Sequence, residues 1–67
     1  MSKKMKDFNR GLCIGQELRS QCEKEDMLII RSMLGSGPEN ISQVKKYFHL
    51  DFISNREMNL GIWIVLK

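Results

Sequence analysis

The chain is poor in the residues that carry chemistry. It holds one histidine, one proline, one tryptophan and two cysteines in 67 residues. His49 stands between Phe48 and Leu50, the setting of a half-buried structural histidine rather than of a ligand or base. No Cys-x-x-Cys pair occurs, and Cys13, Cys22 and His49 lack zinc-site spacing. The Gly35-Ser36-Gly37 turn is too short for a phosphate loop and is not followed by the lysine such a loop needs. Acidic side chains are scattered, and a chain of this length offers little room for a preorganised pocket. A non-enzyme is expected, with no catalytic residue, no metal ligand and no cofactor.

Long hydrophobic runs are also missing. The longest apolar stretch, Leu60–Leu66, is far short of the ~18 residues of a membrane-spanning helix. No membrane partner is therefore expected. The basic start is not followed by the apolar core of a signal peptide. On one helix, Cys13 and Cys22 would lie about two and a half turns apart, too far for a disulfide. Two reduced thiols in a cytoplasmic protein are the expectation.

What is present is an ordinary globular composition, 42% hydrophobic and 28% charged, which is not that of a disordered chain. One small domain is the upper bound, and a domain of this size covers only about 60% of its unfolded surface. The net charge of +3 is uneven. Residues 1–10 carry Lys3, Lys4, Lys6 and Arg10 against Asp7, whereas 11–34 and 35–67 nearly balance. Residues 1–10 therefore read as a basic, flexible arm, with Phe8 as its one large anchor. Residues 11–67 read as a single small helical domain, or as a fragment of a larger one.

The organising stretch is 26–50, which reads as helix, turn, helix. Met27, Leu28, Ile29, Ile30, Met33 and Leu34 lie before the turn, and Ile41, Val44, Phe48 and Leu50 after it. Gly35 suits the left-handed conformation that ends a helix, and Pro38 suits a first turn. Two restart signals compete, Ser36 with Glu39 and Asn40 with Gln43. The spacing 41, 44, 48 forms one apolar stripe, with Lys45 and Lys46 opposite.

Around this stretch, Gly11–Gly15 is either a brief strand or the first turn of a helix. Glycine disfavours a helix interior, so the helix is expected to begin near Gln16 and to run to Leu34. The polar residues Glu25 and Asp26 mark a candidate break, with Asp26 as a cap. Asp51 is placed to cap a further helix from Phe52 to Leu60. Leu60–Leu66 is apolar and rich in β-branched residues, and suits either a short C-terminal strand or a helical ending. The expected fold is mainly α, with three helices near 16–34, 40–49 and 52–60 in a helix-turn-helix-like arrangement.

Two functions fit. The apolar excess of the C-terminal segment points to a protein-interaction or regulatory module, binding a partner protein or a second copy through Leu60, Ile62, Trp63, Ile64 and Val65. The alternative is DNA binding. Residues 41–48, a turn at 49–51 and residues 52–60 resemble, over about a third of the chain, the bihelical unit of helix-turn-helix transcriptional regulators. That resemblance would place Asn55, Arg56 and Asn59 at base edges and Lys3, Lys4 and Lys6 on phosphates. The pattern departs from those regulators at His49, where glycine is common, and at Ser54 and Asn55, where a buried aliphatic residue is usual.

Overall fold

A computed structural model describes residues 2–35, 37–52 and 55–67. Four α-helices account for most of them: α1 Lys3–Gln21, α2 Lys24–Leu34, α3 Ile41–Tyr47 and α4 Arg56–Leu66. Among the described residues there is no strand. The mainly α expectation holds, but the elements are cut differently.

The first difference is at the amino terminus. Residues 3–10 are not a loose arm; they are the opening turns of α1. Ser2 caps this helix, its hydroxyl accepting from the Met5 amide at 3.2 Å. The helix then passes straight through Gly11 and Gly15, which sequence reasoning placed outside it. Each glycine costs up to about 1 kcal/mol in helix propensity. The cost is offset because both lie against α4: a Cβ on Gly11 would strike the Met58 carbonyl, and one on Gly15 would stand 2.9 Å from Val65 Cβ. Tertiary packing overrides local preference here.

The second difference divides the expected Gln16–Leu34 helix. Cys22 and Glu23 turn extended, and α2 restarts at Lys24. Asp26 does act at this break, but from inside the first turn, its carboxylate accepting from the Glu23 amide at 3.2 Å.

The turn after α2 follows the expected chemistry in part. Gly35 ends the helix at φ 55°, and Pro38 opens a 3₁₀ turn, Pro38–Asn40, that leads into α3. Ser36, and with it the Ser36–Glu39 cap, lies outside the described residues. Asn40 does not cap α3 forward. Its side-chain amide instead donates back to the Leu34 carbonyl at 2.7 Å and closes the turn.

His49 ends α3, and it is exposed rather than half-buried. It takes φ 54°, while the Leu50 amide donates to Lys45 O at 2.9 Å and the His49 amide to Lys46 O at 3.4 Å. That paired bonding is the Schellman ending, which glycine usually supplies.

The third difference is at the carboxyl terminus. The helix expected over 52–60 with Asp51 as its cap begins at Arg56, and Leu60–Leu66 is its continuation, not a strand. Met58, Ile62 and Leu66 are buried at a four-residue repeat, which a strand would place on the same face as Leu60 and Ile64. With Leu18, Ile30, Leu34, Ile41 and Val44 they form the core.

Candidate partner-binding face

Asn55 fixes the start of α4. Its carbonyl oxygen accepts from the Met58 amide at 2.9 Å, and its amide nitrogen donates to the Asp7 carboxylate at 3.1 Å. From there α4 runs parallel to α1. Asn55 is level with Asp7, Met58 with Gly11, and Ile62 with Gly15. Gly61 rests on the α1 backbone between Phe8 and Leu12. Glycine on both sides of the contact lets the two helices approach backbone to backbone.

This pairing gives the two helices one inner and one outer side. Ile14 and Leu18 of α1 and Met58, Ile62 and Leu66 of α4 belong to the core side. Helical spacing puts Met5, Phe8 and Leu12 on the opposite flank of α1, and Leu60 and Ile64 on the opposite flank of α4. Because both helices are right-handed and parallel, these flanks lie next to each other, with Gly61 between them. Met5 is 59% exposed, Ile64 41% and Leu60 37%, while Phe8 and Leu12 are half-buried. Both ends of the sequence thus contribute apolar residues to this outer side, with the half-buried Glu57 one turn before Gly61.

The structure sorts the five residues proposed for partner binding. Leu60 and Ile64 lie on the outer face. Ile62 is core, at 1% exposure, and Val65 is half-buried beside Gly15. Trp63 packs against the core, with Lys67 Nζ 4.4 Å from its ring centroid. Among the described residues its buried indole N–H has no acceptor. Sequence reasoning missed Met5, Phe8 and Leu12, because the first two fall in the expected arm and the third in Gly11–Gly15, a brief strand or first helical turn ahead of a helix expected to begin near Gln16. Their spacing, i, i+3, i+7, is a helical signal that could have found them.

The residues proposed for DNA divide differently. The parallel pairing brings Lys3, Lys4, Lys6 and Arg56 to one end of the molecule. Asn55, though, is engaged in capping α4 and holding Asp7, and Asn59 is half-buried one turn further along. The expected tight turn at 49–51 is instead the longer link 48–55, in which Ile53 and Ser54 lie outside the described residues. The short-turn helix pair is α2 with α3, joined around Gly35.

On the core side an open groove of 660 Å³ lies between α1 and residues 50–52, 55 and 58; Ile14, Leu18, Phe52 and Met58 are among its lining. Among the described residues no three metal-ligating side chains converge. Both cysteines are free thiols; Cys13 is exposed, while burial and then the Asp26 carboxylate push the half-buried Cys22 thiol up from its ordinary value. No helix of the described residues is long and apolar enough to cross a membrane. The chain matches no known protein family, no curated protein and no solved structure.

Proposed function

We propose that this chain is a small non-enzymatic interaction module that docks through the outer face of α1 and α4. The observation that carries the reading is the exposure of Leu60 and Ile64 on the flank of α4 next to Phe8 and Leu12 of α1, a side that no other helix of the described residues covers. Leaving a contiguous apolar surface in water costs about 25 cal/mol per Å² relative to covering it. Faces of this kind mark interaction sites. The apolar C-terminal segment contributes through two of its residues, and α1 supplies the rest.

Site-directed photocrosslinking tests this. A photoreactive residue at position 64 is expected to give a discrete adduct in cell extract. The same residue at position 28, where Leu28 is exposed on α2 away from the core, should give none. Equal labelling at both positions, or none at 64, would remove the reading. Sedimentation equilibrium separates a second copy from a different partner.

A second reading, DNA binding, rests on the clustering of Lys3, Lys4, Lys6 and Arg56 at the common start of α1 and α4. There two helix amino termini add positive potential. It predicts duplex binding that weakens steeply with salt, measured by gel shift.

A further inference from the structure

We infer that the occupant of the outer α1/α4 face is an acidic amphipathic helix of another protein, not a second copy of this chain; the inference rests on the docking reading above. Charge is the first argument. Residues 3–21 and 56–67, which form the two helices of the face, hold seven basic and three acidic side chains. Residues 22–55 hold four basic and five acidic ones. The positive charge of the chain is therefore concentrated in the layer that carries the uncovered face.

Placement is the second argument. Arg56 precedes Leu60 by one helical turn, and Lys67 follows Ile64 by three residues. On α1, Arg19 continues the stripe of Met5 and Leu12, seven residues beyond Leu12. All three cations are exposed. The apolar strip thus has Arg56 beside Leu60 at one end and Arg19 beyond Leu12 at the other, whereas the Lys67 ammonium stands over the Trp63 ring, off this face. The acid on its flank, Glu57, is half-buried.

A second copy fits this poorly. A two-fold contact would lay the cationic end of one copy on the cationic end of the other. The area is also small. Two helices about 10 Å wide, one about 28 Å and the other about 16 Å long, present roughly 450 Å² at most, against about 800 Å² per partner in a standard interface. A single helix laid across two parallel helices needs no larger platform. Recognition of that kind uses apolar anchors at i, i+3, i+4 and i+7. Carboxylates near both ends of such a helix would meet Arg56 and Arg19. A lipid surface is less well matched, because Trp63 packs on the core side and Tyr47 sits on α3, so neither is on this face.

The test uses three synthetic helical peptides with the same leucine stripe, flanked by glutamate, glutamine or lysine. Binding to the full chain is read by fluorescence anisotropy at low salt. The glutamate peptide is expected to bind about tenfold more tightly than the lysine peptide. That order should reverse for the variant carrying Arg19→Glu and Arg56→Glu, both at exposed positions, with its helicity checked by circular dichroism. Leu60→Ser with Ile64→Ser should weaken all three peptides. Equal binding of the three peptides, lost in the Leu60→Ser, Ile64→Ser variant, would overturn the acidic partner while leaving the docking face standing. Binding of no peptide would overturn the inference, and the crosslink at position 64 would then decide separately whether the face docks anything. A dimer abolished by Leu60→Ser and Ile64→Ser would make the occupant a second copy. Binding to phosphatidylserine vesicles in preference to the glutamate peptide would make it lipid; either result overturns the inference.

Discussion

Gly61 of α4 lies directly on the backbone of α1: a Cβ built on it would stand 2.8 Å from the Leu12 amide nitrogen and would strike the Phe8 carbonyl oxygen. Neither atom belongs to a side chain that can swing away. The approach of α4 to α1, and with it the shape of the outer face, depends on the hydrogen atom at this position.

Gly61→Ala is therefore expected to destabilise the protein by about 1–3 kcal/mol through overpacking, although alanine is the better helix former by about 1 kcal/mol. Gly37→Ala is the control. Gly37 is extended, at φ −149°, and the atoms nearest to a Cβ there belong to the Glu39 carboxylate, the far end of a flexible side chain. Its effect should stay within about 0.5 kcal/mol. Urea denaturation measures both, and equal midpoints for the two variants would contradict the close packing of α1 on α4.

His49→Gly should stabilise. A left-handed residue with a Cβ costs roughly 1 kcal/mol, and glycine removes that cost while keeping the Schellman bonds that close α3. For a domain of this size the melting temperature should rise by about 4–8 °C per kcal/mol. His49 is exposed, so little packing is lost. A fall in melting temperature would mean that the imidazole makes a stabilising contact.

The two thiols should differ in reactivity. Cys13 is exposed, and Cys22 is half-buried with its ionisation disfavoured first by burial and then by Asp26. Iodoacetamide at pH 8 is expected to label Cys13 first, and denaturant should remove the difference. Because the folded value of Cys22 is raised, native protein holds this proton to higher pH than unfolded protein does. Its contribution is fully present below the unfolded thiol value of about 8.5 and is lost as pH rises through the higher folded value. Cys22→Ala should flatten that alkaline loss of stability.

How much of this was legible beforehand depends on which residues are considered. The buried Ile30, Leu34, Ile41 and Val44 and the turn at Gly35 could be read directly. Their apolar spacing and the glycine–proline chemistry between them are local properties, encoded within one or two helical turns. The candidate face was legible only in part: Leu60 and Ile64 were singled out, but with Ile62, which is buried, and without Met5, Phe8 and Leu12.

The sequence by itself determined a mainly α chain, its central turn, and an apolar excess at the carboxyl end. Only the tertiary structure decided that residues 3–15 are helical, that Leu60–Leu66 is helix rather than strand, and which side of it faces outward. The reason is the same in each case. Gly11, Gly15 and Gly61 argue against helix when weighed locally. Their advantage appears only when two helices nearly fifty residues apart in sequence lie side by side, and backbone contact replaces the side chains that glycine lacks.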